Sequence, residues 1–195
     1  MHRTNVPRAI AAVTIVLLLS ACASVPLPLD VDLKAKMPAD SAEGTVTERV
    51  RAGETAVVDL RLPSQQGECV DFADVAPESV TVRSAQLQWV VDATYDGPDL
   101  SGMVQARAFV AGEGDEVFDP AHTLGPVFTL NLDKTSTRLA GAAVLNPTQL
   151  EAVNDRKVCW GVEVTGRDLA AAEDGTATVR YSVEKLRLRI TFSVL

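Results

Sequence analysis

Apolar and polar residues alternate with a period of two through most of the chain. In the C-terminal segment, every second residue from Leu186 to Val194 is apolar and the residues between them are polar or charged. A period of two puts one kind of side chain on each face of a strand, so the pattern predicts strands with one buried and one solvated face. Similar alternation occurs in residues 29–37, 45–51, 56–62, 80–95, 103–110, 127–132, 137–145 and 158–164.

A change of parity interrupts the alternation near the C-terminus. Val179, Tyr181 and Val183 are apolar at odd positions, whereas the apolar positions are even from Leu186 onwards. One extra residue in a strand moves every later side chain to the opposite face. The pattern therefore predicts a β-bulge near Glu184-Lys185.

Helical signals are short. Asn146, Pro147 and Gln149 occupy the spacing of an N-cap, a first-turn proline and a capping box, which predicts one helix over 147–153. Residues 169–172 are predicted to form a single helical turn with Asp168 as its cap. Residues 63–78 are rich in Pro, Ser, Gln and Gly and are predicted to form a loop that carries Cys69.

Nine or ten strands without a long helix predict an all-β fold. The 174 residues that follow position 21 are enough for one domain with a hydrophobic core. We expect an antiparallel two-sheet β-sandwich with one short helix near 147–153, and a β-barrel is the alternative that periodicity does not exclude. Most aromatic residues occupy apolar strand positions and are expected in the core: Trp89, Tyr95, Trp160, Tyr181 and Phe192.

The first 22 residues follow a different pattern. Arg3 and Arg8 precede an apolar run of 11 residues from Ala9 to Leu19, interrupted only by Thr14. This length suits the apolar region of a signal peptide and is too short to span a bilayer. The run ends in Leu19-Ser20-Ala21-Cys22, and the segment resembles the lipobox signal peptide of bacterial lipoproteins.

The resemblance implies that residues 1–21 are removed and that Cys22 becomes the mature N-terminus, with a diacylglyceryl group on its sulfur. Palmitate is an expected acyl group, and many such proteins carry a third chain on the new amine. Residues 22–28 would form a short lipidated tether and residues 29–195 a single domain. The alternative is an ordinary secretory signal with cleavage after Ala21.

The same resemblance implies a location in the cell envelope. Ala23 follows the lipidated residue, and an Asp there would be the usual inner-membrane retention signal. The expected location is therefore the outer membrane where the cell has one, and otherwise the outer face of the plasma membrane.

Charge restricts the partners of the processed chain. Without residues 1–21 it has 16 basic and 26 acidic residues, a net charge of −10. Such a chain is repelled by nucleic acid and by anionic lipid headgroups. We therefore expect membrane attachment through the lipid on Cys22, and no nucleic-acid partner.

Two cysteines remain after Cys22, at positions 69 and 159. In an oxidising compartment Cys69 and Cys159 are expected to form a structural disulfide. A reactive thiol or a metal-ligand pair is the alternative, for which His122 is the only further imidazole after residue 21. Cys159 lies on the strand face opposite Trp160, so its partner is expected to come from an overlying loop.

Candidate catalytic residues are few. The sequence has no G-x-S-x-G, no H-E-x-x-H, no zinc spacing and no glycine-rich phosphate loop. His122 lies in a loop and is expected to be solvated. Glu113, Asp115 and Asp119 are weak candidates for a Ca²⁺ site, but they match no standard calcium loop and a solvated hairpin tip is favoured. We expect no cofactor and no enzymatic activity.

These observations favour a non-enzymatic binding or scaffolding role near the bilayer, with an envelope protein or a cell-wall component as partner. The alternative is a carrier or assembly factor that holds a lipid or another apolar ligand between its sheets, and a hydrolase ranks third. A continuous apolar cavity would favour the carrier. A filled core with a flat, exposed apolar edge would favour the scaffold.

Overall fold

In the part of the chain that the structure describes, ten strands form two antiparallel sheets that pack face to face. The structure is a computed structural model and describes residues 26–76, 81–130 and 136–193. The strands are β1 (Pro26–Asp32), β2 (Glu43–Val50), β3 (Thr55–Leu62), β4 (Glu68–Asp71), β5 (Val82–Asp96), β6 (Leu100–Ala111), β7 (Thr123–Leu130), β8 (Thr137–Val144), β9 (Lys157–Ala171) and β10 (Gly175–Ser193). Helices are α1 (Ala39–Ala42) and α2 (Pro147–Asn154), with 3-10 turns at Lys34–Lys36 and Pro120–His122.

Each sheet is built around one long central strand. In the first sheet β10 pairs with β5 along one side, β5 pairs in turn with β8, and β1 and β2 share the other side of β10. In the second sheet β9 lies between β6 and the two short strands β3 and β4, and β7 pairs with β6. The fold is therefore an all-β sandwich with one short helix of eight residues, as expected.

The predicted β-bulge is confirmed. The register between β10 and β5 shifts between Val183 and Lys185, so Glu184 is the extra residue. Val183 and Leu186 are both buried although their parities differ. The bulge therefore keeps both halves of β10 in contact with the core.

The two ends of the sandwich differ, and we name them by their closure. The closed end contains the start of β1, α2 and the loop 112–122, and the open end contains the turns 51–54, 97–99 and 172–174. At the closed end, the inward side chains are fully buried: Val31, Leu33, Val70, Phe72, Val82, Leu87, Val110, Val158, Leu188 and Ile190. Midway along the sandwich, Trp89 of the first sheet meets Phe128 of the second edge to face, with ring centroids 6.4 Å apart.

Hydrogen bonds fix α2 at the closed end. Asn146 and Gln149 form the predicted capping box, in which each side chain accepts from the other residue's backbone N–H. The side-chain Nε2 of Gln149 also donates to the carbonyl of His122 at 3.1 Å, which ties α2 to the loop 112–122. Buried Arg156 donates to the carbonyls of Ala76, Val153 and Asn154, which joins the helix end to the segment that precedes β5.

Three local predictions are wrong. The strand expected over 29–37 ends at Asp32, because Leu33 turns into the core and a 3-10 turn follows; it also begins earlier, at Pro26, inside the predicted tether. The helical turn expected over 169–172 is strand instead. β9 is paired on both sides there, which overrides the local helical preference, and Leu169 is buried. The loop expected over 63–78 contains β4.

Candidate ligand-binding cavity

The two sheets enclose an apolar cavity at the open end. Its volume is about 400 Å³, which lies in the usual range for small-molecule sites. Both sheets contribute lining residues, from β2, β5, β8 and β10 on one side and from β3, β6, β7 and β9 on the other. The inward aliphatic residues in this part of the sandwich are only half-buried, among them Val46, Leu60, Leu139, Val162, Val164 and Val179.

The side chains at the inward positions explain why the space is unfilled. At the open end, these positions hold small residues such as Ala93, Ala177 and Val179. At the closed end, the equivalent positions of β5 and β10 hold Leu87 and Leu188, which are fully buried. These small side chains of the first sheet leave a gap that sheets spaced about 10 Å apart do not close by backbone contact.

Charged residues mark the side of the cavity that faces water. Among the described lining residues five are charged, and all five belong to β2, β3 or the turn between them: Glu48, Arg49, Arg51, Glu54 and Asp59. In the described residues β2 pairs with β10, whereas β3 pairs with β9, and no strand ladder joins β2 to β3. We call the gap between these two edge strands the mouth. Val57, which is 78% exposed, lies at its edge.

The mouth lies in acidic surroundings. Arg51 is paired with Glu54 at 3.5 Å, so the other charged lining residues of the described chain are one cation, Arg49, and two anions, Glu48 and Asp59. The carboxylate of Asp174 accepts a hydrogen bond from the backbone N–H of Ala52 at 2.8 Å, next to the mouth. Three further acidic residues lie in or beside the turns of the open end: Asp96, Asp99 and Glu173.

Two buried tyrosines line the cavity. Burial raises the pKa of the Tyr181 phenol above its ordinary value of 10.0. Burial also raises the pKa of Tyr95, and the charges of Asp99 and Asp96 raise it further. The hydroxyl of Tyr95 donates to the carbonyl of Pro98, so this side chain holds the β5–β6 turn in place. Both phenols therefore stay protonated and neutral at neutral pH.

The predicted disulfide is present. Cys69 and Cys159 are bonded and lie opposite each other on β4 and β9. Their Cα atoms are 3.9 Å apart, somewhat closer than the usual range of about 4.4–6.8 Å. We expected the partner of Cys159 to come from an overlying loop. The partner instead comes from a strand, β4. A loop does cover the site, because Cys159 is buried in a cluster with Phe109, Ala111, Val117 and Phe118.

His122 is not solvated, which corrects the prediction. It is buried at the closed end, and its Nδ1 lies 2.8 Å from the carbonyl oxygen of Glu116. Its own carbonyl accepts from Gln149, so the residue fastens the loop 112–122 onto α2. This is a structural role, remote from the cavity.

The candidate calcium ligands each have a local partner. Glu113 is ion-paired with Lys157, Asp115 accepts from the backbone N–H of Gly112, and Asp119 caps the 3-10 turn by accepting from Ala121. Among the described residues no group of three His, Cys, Asp or Glu side chains is arranged to hold a metal ion. The three carboxylates therefore shape the loop, and the structure does not bring them together.

Cys22 and the rest of the predicted signal peptide lie outside the described residues. Within the described part of the chain, no helix has the length and apolar character needed to cross a bilayer. The first described strand starts at Pro26, at the closed end, so a tether from Cys22 would join the sandwich at the end opposite the cavity.

Comparison with known proteins identifies no family. No family model and no curated protein matches the sequence. Among solved structures, the chain is similar to that of infectious bursal disease virus Gx strain, at 10% identity and a TM-score of 0.34, with 87% of this chain and 39% of the other covered. It is also similar to a chain of the cowpea mosaic virus top component, at 13% identity and a TM-score of 0.37, covering 87% and 46%.

A third similarity is to a structure described as "CBM4 structure and function", at 13% identity and a TM-score of 0.29, with 74% of this chain and 93% of the other covered. The chain spans less than half the length of the two viral proteins. At these scores none of the three supports an inference about function.

The sequence allows an apolar cavity between the sheets as an alternative but does not locate it. The alternation of β3, β9 and β10 correctly predicts which residues face inward, but it contains no information on the distance between the sheets. A local signal is the small side chain at two inward positions of the open end, Ala93 and Ala177, although tyrosines and leucines also line the cavity.

Proposed function

We propose that this protein is a lipid-anchored envelope lipoprotein that binds an apolar ligand between its two sheets and catalyses no reaction. The observation that supports the proposal is the apolar cavity of about 400 Å³ at the open end. A ligand that packs against the half-buried Val and Leu side chains of this cavity is stabilised by about 0.8 kcal/mol for each of its methylenes that is removed from water. A carrier is therefore favoured over a scaffold, because the core is filled at the closed end and unfilled at the open end.

The chemistry of the lining favours binding over turnover. Among the described lining residues there is no His, Cys or Ser. His122, which any Ser-His or Cys-His unit of the processed chain would need, is buried at the other end of the sandwich. The lipid on Cys22 stays a proposal that rests on the lipobox resemblance.

A cavity-filling variant tests the proposed function. Ala93→Phe places a ring in the cavity and should weaken binding of the uncharged fluorophore N-phenyl-1-naphthylamine by about tenfold or more, which is about 1.4 kcal/mol. Ala140→Phe is the matched control, because Ala140 lies on the exposed outer face of the same sheet. Fluorescence titration of the soluble domain measures both.

Thermal melts show that each variant is folded before titration. Ala177→Phe, at a second inward position of the cavity, replaces Ala93→Phe if that variant does not fold. Equal probe affinity in the wild type and in a folded cavity-filled variant would contradict the proposal, and so would a wild type that does not bind the probe.

A further inference from the structure

The volume of the cavity favours a ligand with one acyl chain. At about 400 Å³ the cavity lies near the lower end of the usual range for small-molecule sites. A single chain of medium length, such as a lauroyl chain, is the ligand that we take to match a cavity of this size.

The distribution of polar groups sets the orientation of that chain. Away from the mouth the described lining is mostly aliphatic and aromatic, and its few polar groups carry no charge: Thr94, Thr137, the tyrosine hydroxyls and the indole N–H of Trp160. The five charged lining residues of the described structure are confined to the mouth. A polar end group buried at the inner end would lose its hydration without gaining a charged partner. The acyl chain of the ligand therefore enters first, through the gap between β2 and β3, and the polar end of the ligand stays at the mouth.

The charge of the mouth selects the polar end group. Arg51 is already paired with Glu54, and Glu48 and Asp59 outnumber Arg49 among the other charged lining residues. The neighbouring turns are acidic, and the whole chain has a net charge of −8. An anionic end group at the mouth is therefore repelled, and the repulsion is strongest at low ionic strength.

From these three observations we propose that the ligand is a single-chain amphiphile with an uncharged polar end, such as a monoacylglycerol, and that fatty-acid anions and two-chain lipids are discriminated against. The inference rests on the proposed function, because it specifies the ligand of the same cavity.

Three ligands with the same acyl chain separate the parts of this inference. Displacement of N-phenyl-1-naphthylamine from the soluble domain is measured with monolauroylglycerol, laurate and dilauroylglycerol below their aggregation limits. Monolauroylglycerol should displace the probe at concentrations about threefold to tenfold lower than laurate at low salt, and the ratio should shrink at high salt. Dilauroylglycerol should not displace the probe.

A pair of variants tests the role of the mouth directly. Glu48→Gln combined with Asp59→Asn should bring the affinity for laurate close to that for monolauroylglycerol, while the affinity for the uncharged ligand stays the same. The matched control is Glu151→Gln with Asp155→Asn, which removes the same charge from an exposed position on α2 and from its exposed C-cap at the closed end. This control should leave the preference unchanged.

The outcomes distinguish this inference from the proposed function. Laurate or dilauroylglycerol that binds as tightly as monolauroylglycerol, or more tightly, would overturn the inference. The carrier function would stay in place in that case if the cavity-filling variants still abolish binding of the probe. An unchanged preference in the mouth variant would also overturn it. Failure of the probe to bind at all would instead overturn the proposed function.

Discussion

Single residues decide where the sandwich is filled. Trp89 lies flat against Gly141 of the neighbouring strand, where an added Cβ would be 2.2 Å from the indole ring. Two inward positions further along β5, Ala93 replaces this large side chain, and the cavity begins. A larger residue at position 141 would clash with Trp89 in a filled part of the core, whereas a larger residue at position 93 would enter empty space.

The burial of Tyr181 predicts that the folded protein loses stability at alkaline pH. Because its pKa is raised in the folded protein, the unfolded state loses the phenolic proton first as the pH rises through about 10. The contribution to stability is therefore complete below about pH 10 and is lost above it. Tyr181→Phe should flatten this decline, and urea unfolding midpoints at about pH 8, 10 and 11 measure it.

Tyr95 also has a raised pKa, so Tyr181→Phe should remove only part of the alkaline decline. Tyr95→Phe is the comparison variant, although it also removes the hydrogen bond to Pro98. A midpoint that falls as steeply in Tyr181→Phe as in the wild type would show that Tyr181 does not contribute to the decline.

The disulfide supplies a second prediction at this scale. Cys69 and Cys159 are 90 residues apart in the sequence, and closing a loop of that length stabilises the folded state by about 4–5 kcal/mol in the chain-entropy model. Replacing both residues by Ala should therefore lower the free energy of unfolding by about 2–5 kcal/mol. Urea titrations with and without dithiothreitol measure the loss.

The reductant also provides the internal control for this prediction. Dithiothreitol should destabilise the wild type to about the level of the double variant and should not affect the double variant. A wild type that is insensitive to the reductant, or a double variant as stable as the oxidised wild type, would contradict the assignment of a stabilising disulfide.

At the scale of elements, β10 holds the first sheet together. It is 19 residues long and pairs with β1, β2 and β5, so the sheet has no alternative centre. Leu186, Leu188 and Ile190 of its second half are almost completely buried and Phe192 is half-buried, while Val194 lies outside the described residues. The bulge at Glu184 lets this one strand serve both the filled and the open part of the sandwich.

Removal of the last ten residues tests this role. The truncation deletes all of the β10 segment that pairs with β1, and it exposes the partners of three buried aliphatic side chains. Losing even one such side chain costs about 2–5 kcal/mol, so the truncated protein should not fold. A cooperative thermal melt near the wild-type temperature would contradict this expectation, and circular dichroism measures it.

The elements that the sequence predicted correctly are those with local or repeated signals. The capping box at Asn146 and the parity change at Glu184 are both readable within a few residues, and both are confirmed. β4 and the end of β9 were missed because their strand conformation depends on partners far away in the sequence: β4 pairs with residues 157–160, and residues 169–171 pair with β3 and β6. Such non-local pairing is not encoded in local periodicity.

At the scale of the whole molecule, the proposed lipid attachment and the proposed ligand cavity lie at opposite ends of the sandwich. The lipobox predicts that Cys22→Ser leaves an unprocessed precursor or a form without lipid. Metabolic labelling with radioactive palmitate should label the wild type and not the variant, and fractionation should move the variant out of the membrane. Equal labelling of the two proteins would show that Cys22 is not the lipidated residue.

The same variant leaves the cavity intact, because the tether would join the sandwich at Pro26, at the closed end. N-phenyl-1-naphthylamine should therefore bind the purified Cys22→Ser protein with wild-type affinity. Loss of binding would show that the cavity depends on the lipidated terminus.

The pairing of β1 with β10 also determines how the protein bears force. Seven residues of β1 pair with β10 in register, from Pro26 opposite Ser193 to Asp32 opposite Arg187. A pull between a membrane tether at the N-terminal end of β1 and a partner at the open end acts along these strands. Such a pull loads the whole ladder of hydrogen bonds in shear at once, whereas a pull across the strands would break the bonds one after another. An anchor at Cys22 would thus pull on the sandwich along the direction in which the β1–β10 ladder resists extension.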